Sequence, residues 1–122
     1  MSVVLCCGVA FLSSCSEAVY LELQNETGQT IYVKDFSKGL IAVRVGAVQL
    51  IDIKGWLKIE SPELRVYNLI SAGERYGYRP TGPFAIAVIV DAKWDLYLAA
   101  KQADGTLKRI ERQPNGFPIA SE

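Results

Sequence analysis

Apolar and polar residues alternate along much of the chain from Val19 onward, which is typical of strands with one buried face. The segment 19–24 reads VYLELQ and the segment 30–34 reads TIYVK. Between them, the residues of Asn25–Gly28 form a cluster that favours a turn. This pattern predicts that the two segments pair as a β-hairpin.

Short apolar runs separated by turn residues continue toward the C-terminus. The predicted strands cover 40–45, 48–53, 56–60, 64–69, 84–90, 95–101 and 106–112. β-branched and aromatic residues dominate these runs, and helical periodicity is poor. About eight or nine short strands, with a turn signal roughly every 8–12 residues, predict an all-β antiparallel β-sandwich that is Ig-like or a small barrel.

Three later segments have distinctive patterns. Residues 84–90 (FAIAVIV) are almost continuously apolar, which predicts a central strand covered on both faces. Residues 71–83 contain three Gly and two Pro, which predicts a long loop. Asp104–Gly105 lies between two alternating segments and predicts a tight hairpin.

The first residues have a different composition from the rest. Residues 1–14 carry no charged side chain, and 3–12 form an apolar run of ten residues. Such a run is shorter than the roughly 20 residues of a membrane-spanning helix, but it matches the apolar core of a secretory signal. The alternative is a buried N-terminal strand with incidental cysteines.

Residues 12–15, Leu-Ser-Ser-Cys, follow this run and resemble the bacterial lipobox. The resemblance implies that the Cys15 thiol is alkylated with diacylglycerol and that the signal peptide 1–14 is removed before Cys15. Residues 15–18 would then be a short tether, and 19–122 the β-sandwich domain. Ser16 in place of an Asp implies sorting to the outer membrane, on its periplasmic face.

Composition narrows the function classes. The chain has 13 Lys and Arg, 13 Asp and Glu and no His, so its formal net charge is zero. A neutral chain has no basic field to collect nucleic acid. Without His, the commonest general base and the commonest metal ligand are both missing. The three cysteines, Cys6, Cys7 and Cys15, all belong to the first fifteen residues. We therefore expect no enzyme, no metal and no cofactor.

The candidate binding residues are mostly aromatic. A platform for sugar rings or peptide groups could be built from Trp56, Tyr76, Tyr78, Trp94 and Tyr97. The predicted long loop carries Arg75, Tyr76, Tyr78 and Arg79, which could present two aromatic rings and two guanidinium groups to a carboxylate or a polysaccharide. The alternative is that these tyrosines cover the end of the sandwich and the arginines are solvated.

Carboxylates are the other candidates for chemistry. Asp52, Glu60, Glu63, Asp91 and Asp95 show no spacing that places two acids across a cleft. Those on the polar phase of strands are expected to be solvated, namely Glu22, Asp52, Glu60 and Glu111. Asp91 and Asp95 flank a turn, where Asp commonly bonds its own backbone.

The C-terminal segment 113–119 has two prolines and predicts an extended arm. Its apolar residues Phe117 and Ile119 could clip onto the domain or form a partner-binding tail.

Most of the chain resembles small uncharacterised Gram-negative bacterial lipoproteins. The matching features are the lipobox at 12–15, the turn at 25–28 followed by 31–33, and residues 113–118. The resemblance implies a membrane location through a lipid anchor and no assigned activity. The first functional hypothesis is a non-enzymatic binding or envelope-interaction module whose partner is an envelope protein or a cell-wall polysaccharide. The alternatives are an inhibitor or accessory subunit of a cell-envelope enzyme, and a small hydrolase acting on cell-wall sugars.

Overall fold

The fold is taken from a computed structural model that describes residues 19–69 and 86–122. Within these ranges the chain forms nine strands. They are β1 (Val19–Asn25), β2 (Ile31–Asp35), β3 (Gly39–Val43), β4 (Val48–Ile53), β5 (Trp56–Ser61), β6 (Arg65–Asn68), β7 (Ile86–Val90), β8 (Leu96–Lys101) and β9 (Leu107–Arg109). The all-β prediction is confirmed, with most predicted boundaries within two residues.

The strands form a sandwich of two sheets. One sheet has the order β4-β1-β7-β8-β9 and the other the order β3-β2-β5-β6. All strand pairs are antiparallel except β1 and β7, which run parallel with Leu21 opposite Ile86. The antiparallel sandwich is therefore confirmed, with one parallel pair at its centre that period-two patterns do not reveal.

The predicted hairpin between the first two segments is wrong. β1 pairs with β4 and β7, whereas β2 pairs with β3 and β5 in the other sheet. Asn25 explains the difference, because its fully buried side chain donates from Nδ2 to the carbonyls of Gln29 at 2.7 Å and Val43 at 2.9 Å. The turn residues thus carry the chain from one sheet to the other.

The parallel pair gives the sandwich two distinguishable ends. At the Val19 end, β1 and β7 begin and the Lys54–Gly55 turn leads from β4 to β5. At the Asp91 end, β1 and β7 finish and the turn 91–95 leads into β8. β2 is antiparallel to β5, so it finishes at the Val19 end, with Phe36 directly after it.

The main core lies between the two sheets. Its largest fully buried members include Tyr67, Leu21, Leu23, Ile31, Ile51, Ile53, Leu57 and Ile59. A smaller buried cluster of Ile89, Ala99 and Leu107 is separate from the main core. Val88 and Val90 belong to the main core and Ile89 to the smaller cluster, so β7 is covered on both faces, as its apolar run predicts.

Two side-chain amides bond to the backbone of the five-stranded sheet. Gln24, which is 5% exposed, accepts from the Leu107 N–H at 2.8 Å and donates to the Leu107 carbonyl at 3.1 Å. Gln113 makes the same pair of bonds to Leu98, at 2.9 and 2.8 Å, and the Leu98 carbonyl also accepts from the Ile110 N–H at 3.1 Å. Each amide therefore supplies both a donor and an acceptor to one strand residue.

The C-terminal arm clips onto the domain, as one of the two sequence hypotheses predicted. Phe117 is buried in the main core, and Ile119 packs against it. Ile119 and Leu96 exchange two backbone hydrogen bonds, at 2.8 and 2.9 Å. The hypothesis of a free partner-binding tail is wrong for these residues, because both are engaged by the fold.

The predicted hairpin at Asp104–Gly105 is confirmed. β8 and β9 pair antiparallel, and Gly105 adopts a φ of +91°, a left-handed conformation in which a side chain would be strained. Asp104 Oδ1 accepts from the Thr106 N–H at 2.9 Å and from its hydroxyl at 2.6 Å. These bonds lower the pKa of the Asp104 carboxyl.

Candidate functional site

Five predicted site residues lie outside the described residues. They are the lipidation candidate Cys15 and the loop residues Arg75, Tyr76, Tyr78 and Arg79. Their roles stay predictions. The loop's flanking residues are placed, however, since Leu69 and Ile86 both lie at the Val19 end of the sandwich.

The described members of the aromatic platform do not form a single group, because Trp56 lies at the opposite end from Trp94. Trp56 begins β5 at the Val19 end, whereas Trp94 lies in the turn at the Asp91 end. Tyr97 lies in β8 opposite Ile89, beside the smaller cluster. The idea of one shared platform is therefore wrong for these three residues, and each end of the sandwich has its own aromatic group.

The turn 91–95 is organised by the carboxylate of Asp91. Its Oδ1 atom accepts from the backbone N–H groups of Lys93 at 3.0 Å and Asp95 at 3.1 Å. The Asp91 carbonyl accepts from the Trp94 N–H at 2.9 Å. This confirms the prediction that Asp91 bonds its own backbone. These hydrogen bonds also fix the backbone conformation of the turn at Trp94.

Trp94 has an unusual backbone conformation for a bulky residue, with a φ of 66°. That conformation costs about 1–2 kcal/mol for a residue with a Cβ. The Tyr67 hydroxyl donates to the Trp94 carbonyl at 2.7 Å, and the Arg65 guanidinium lies 4.9 Å from the centre of its ring. Strain held in place by such contacts often marks a functional position.

Tyr67 and Arg65 are themselves constrained. Burial raises the pKa of Tyr67 to about 12, with Asp95 and Asp91 adding to the rise and Arg65 opposing it. Arg65 forms an ion pair with Glu63 and donates to the Ser121 hydroxyl at 3.3 Å. Its Nε is buried without a hydrogen-bond partner among the described residues. The Trp94 carbonyl and ring are therefore both held from β6.

A second guanidinium–aromatic pair lies on the other side of the same turn. The Arg109 guanidinium stacks 3.7 Å from the centre of the Tyr97 ring and forms an ion pair with Asp91 Oδ2 at 3.2 Å. Asp91 thus holds the Trp94 turn with one oxygen and Arg109 with the other. We call Arg65, Asp91, Trp94, Tyr97 and Arg109 the Asp91 cluster.

The Val19 end carries the second candidate surface, which we call the lysine–aromatic end. Its members are Tyr20, Lys34, Phe36, Lys38, Lys54 and Trp56. Phe36 is 49% exposed, and its ring centre lies 5.9 Å from Lys34 Nζ and 5.7 Å from Lys54 Nζ. Trp56 and Tyr20 are 40% and 38% exposed.

The sequence reasoning missed Phe36 and its lysines. The pattern Lys34-x-Phe36-x-Lys38 was available as a signal. Lys54 comes near Phe36 only because the turn after β2 docks on the edge of β4, and that contact cannot be read from local periodicity. Arg65 was missed for the same reason, since its aromatic partner is 29 positions further along.

The turn after β2 docks through two carboxylates. Asp35 Oδ1 accepts from the Ser37 and Lys38 N–H groups, both at 2.8 Å, and its Oδ2 accepts from the Asp52 N–H at 3.0 Å. Desolvation raises the pKa of Asp35, but these three donors and the charge of Lys38 outweigh it and hold that pKa below 3.8. Phe36 completes the contact by donating its N–H to the Asp52 carbonyl at 2.9 Å.

The prediction that Asp52 is solvated is wrong. Asp52 is 9% exposed, and its Oδ2 accepts from the Ser37 hydroxyl at 2.5 Å. Its Oδ1 has no hydrogen-bond partner within the described ranges. The docked turn 35–38 covers the side chain of Asp52 on the edge strand β4. The strand pattern alone predicts that this polar side chain faces water.

Within residues 19–69 and 86–122, no group of three acidic, thiol or imidazole side chains could hold a metal ion. No helix in the same ranges is long and apolar enough to cross a membrane. Comparison with protein families, with curated proteins and with solved structures finds no match to this chain.

Proposed function

We propose that the chain is a lipid-anchored periplasmic protein, a non-enzymatic module that binds an envelope component from the inner leaflet of the outer membrane. Cys15 is the proposed lipid attachment site, and the Asp91 cluster is the proposed binding surface. The partner is an envelope protein or a cell-wall polysaccharide.

The observation that carries this proposal is the parallel pairing of β1 and β7. β1 begins at Val19, only four residues after Cys15. Four residues span at most about 14 Å, so a lipid on Cys15 would hold the Val19 end close to the bilayer. Because β7 runs parallel to β1, the turn after it lies at the opposite end, about 20 Å further from the membrane.

The Asp91 cluster has the composition of a binding surface for polar envelope components. Trp and Tyr rings stack on sugar rings and peptide groups, and guanidinium groups bind carboxylates. Trp94 and Tyr97 each lie against an arginine, and both are only partly buried. The strained φ of Trp94 supports the same conclusion, since the fold maintains this conformation through contacts from Tyr67 and Asp91.

The non-enzymatic part of the proposal is supported by what two of the carboxylates do. The buried Asp35 and the partly buried Asp91 accept hydrogen bonds from backbone N–H groups of their own turns, so they act as turn-forming groups. A low pKa, as at Asp35, keeps a carboxylate ionised and makes it a poor general acid near neutral pH.

Co-sedimentation with purified peptidoglycan and crosslinking in intact cells test the binding surface. Trp94→Asn removes the ring but keeps a residue that tolerates a positive φ, and Trp56→Phe is the matched control at the opposite end. We expect Trp94→Asn to lose the partner or the peptidoglycan and Trp56→Phe to retain it. Unchanged recovery with Trp94→Asn would contradict the proposed surface.

The predicted loop needs a separate variant, because the inhibitor or accessory-subunit hypothesis depends on it. Tyr76→Ala combined with Tyr78→Ala tests it in the same two assays. Loss of the partner in this variant, with full recovery for Trp94→Asn, would move the binding surface to residues 75–79. Unchanged recovery would remove the loop from consideration.

A further inference from the structure

We propose that the lysine–aromatic end docks directly on anionic phospholipid headgroups, so that the domain lies against the bilayer in one orientation. This inference rests on the proposed lipid anchor and adds a second membrane contact made by the folded domain. The occupant is a bilayer surface that carries phosphatidylglycerol or a similar anionic lipid.

The cations at this end are available to an external anion. Lys38 and Lys54 are exposed and Lys34 is partly exposed, and none of the three forms an ion pair among the described residues. At the Asp91 end, Arg65 and Arg109 each have a carboxylate partner, while Arg44 and Lys93 are exposed and form no ion pair among the described residues. What distinguishes the Val19 end is that two of its lysines lie close to one exposed aromatic ring, with Lys34 Nζ at 5.9 Å and Lys54 Nζ at 5.7 Å from the centre of Phe36.

The aromatic side chains at this end suit the interface of a bilayer. Trp and Tyr are enriched at the headgroup level of membranes, where a ring can be partly buried and partly hydrated. Tyr20, Phe36 and Trp56 come from the start of β1, the turn after β2 and the start of β5. These segments lie at the same end of the sandwich, with Tyr20 on the outer face of the five-stranded sheet and Trp56 on the outer face of the four-stranded sheet.

The proposed anchor would lie close to these lysines and aromatic rings. Val19 lies opposite Ile53, the residue before Lys54, and the neighbouring Asp52 carbonyl accepts from the Phe36 N–H. Val19, the first described residue, thus lies near the part of the domain that carries Phe36 and Lys54. A lipid at Cys15 would raise the local concentration of headgroups at these residues.

The nearby carboxylates are buried, whereas Lys38 and Lys54 are exposed. Asp35 is 3% exposed and both of its oxygens accept from backbone N–H groups; Asp52 is 9% exposed, its Oδ2 accepts from the Ser37 hydroxyl, and its Oδ1 has no hydrogen-bond partner among the described residues. Headgroup phosphates would meet Lys34, Lys38 and Lys54 first. Each lysine near an anionic surface shifts the equilibrium toward the docked state by about fivefold.

Trp56 provides a direct probe, and Trp94 provides an internal control. The full chain, produced in a Gram-negative host, is reconstituted in vesicles that contain brominated phosphatidylcholine, with or without phosphatidylglycerol. Bromine quenches a tryptophan that enters the lipid surface. We expect phosphatidylglycerol to cause quenching of Trp56 fluorescence, whereas the fluorescence of Trp94, at the opposite end, should remain unquenched. Trp56→Phe should remove the quenched component.

Two charge variants separate lipid docking from a general effect of charge. Lys34→Gln with Lys54→Gln should shift the docking equilibrium away from the surface by about fivefold for each lysine. Arg44→Gln with Lys93→Gln removes the same charge from exposed positions at the Asp91 end and should leave Trp56 quenching unchanged. High salt should weaken the quenching of the wild-type chain.

The outcomes distinguish failure of this inference from failure of the proposed anchor. Acylation is read by intact mass and by flotation with neutral vesicles, neither of which depends on the lysines. An acylated protein whose Trp56 is quenched equally on neutral and anionic vesicles, or equally in both charge variants, overturns the docking proposal. A chain that lacks acylation overturns the anchor, and its charge variants still report whether the lysine–aromatic end binds anionic lipid.

Discussion

Asp35 accepts a hydrogen bond on Oδ2 from the backbone N–H of Asp52 at 3.0 Å, and this contact joins the two sheets of the sandwich. Asp35 ends β2 in the four-stranded sheet, and Asp52 lies on β4 at the edge of the five-stranded sheet. With the Phe36 N–H on the Asp52 carbonyl, both backbone groups of this edge residue are satisfied. The same contact positions Phe36 beside Lys54.

Asp35→Asn should lower the free energy of unfolding by about 1–3 kcal/mol, because whichever way the amide is turned, its NH2 group faces a backbone N–H. Urea unfolding at neutral pH measures the change. Asp104→Asn is the matched control, because Asp104 uses one oxygen for both of its bonds and Asn retains that acceptor. A loss no larger than that of the control would contradict the role assigned to Asp35.

The contribution of Asp35 should also depend on pH. Its folded-state pKa is below the ordinary value of 3.8, so its stabilising effect is complete above pH 3.8 and is lost as the pH falls through the folded-state pKa. The difference in unfolding free energy between wild type and Asp35→Asn should therefore shrink below pH 3.8. A difference that stayed constant between neutral pH and pH 3 would be inconsistent with this account.

Tyr67→Phe should destabilise the domain by about 1–2 kcal/mol, since it removes the donor that satisfies the Trp94 carbonyl. It should also release the turn 91–95, which hydrogen exchange of the Trp94 and Asp95 amides would detect. Tyr32→Phe, at an exposed position on β2, is the control and should change neither measurement.

Alkaline titration gives an independent test of Tyr67. Burial raises the pKa of its phenol from 10 to about 12, so the folded state is favoured below pH 10 and loses this contribution as the pH rises through 12. Absorbance at the phenolate band should show a late component that ionises at about pH 12. That late component should vanish in Tyr67→Phe, and its persistence there would show that another tyrosine is responsible.

Gln24→Glu should cost about 1–3 kcal/mol, although it keeps the shape of the side chain. The carboxylate can still accept from the Leu107 N–H, but it faces the Leu107 carbonyl without a donor and is buried as a charge. Thermal unfolding measures the loss. Glu22→Gln, which removes an exposed ion pair with Lys101, should cost much less.

Peptidoglycan zymography separates the proposed binding module from a cell-wall hydrolase. The purified chain should leave the embedded peptidoglycan intact at neutral pH, since Asp35 and Asp91 are held as turn acceptors. Cleared zones that are absent when a sample from the same host lacks this chain would contradict the non-enzymatic proposal.

Local patterns were sufficient to predict the strands, but the only strand pair that they predicted correctly was the hairpin of β8 and β9. The alternation in 19–24 and the apolar run before Asp91 predicted β1 and β7, yet nothing local indicated that these strands run parallel. The NETG turn looked like a hairpin because turn propensity describes four residues, whereas the buried amide of Asn25 bonds to Val43, 18 positions away. Sheet assignment depends on such long-range contacts.

The candidate surfaces were less predictable for the same reason. The aromatic residues were evident from the sequence, but their cationic partners were not: Arg65 on β6 lies against Trp94, and Lys54 in the turn after β4 lies near Phe36. Asp52 looked solvated because its position on β4 is polar, and the docking of Asp35 made it buried. Only contacts within a single turn, such as the hydrogen bond from the Lys93 N–H to Asp91, follow from residues that are close together in the chain.

The intact mass of the N-terminus most directly tests the claim that this sandwich is held to a membrane at its Val19 end. The chain is produced from its own first codon in a Gram-negative host, and its membrane fraction is analysed by mass spectrometry. The account predicts a mature protein that begins at an acylated Cys15, and a Cys15→Ser variant that is neither acylated nor cleaved there. Recovery of an unprocessed wild-type chain that still begins at Met1 would contradict it.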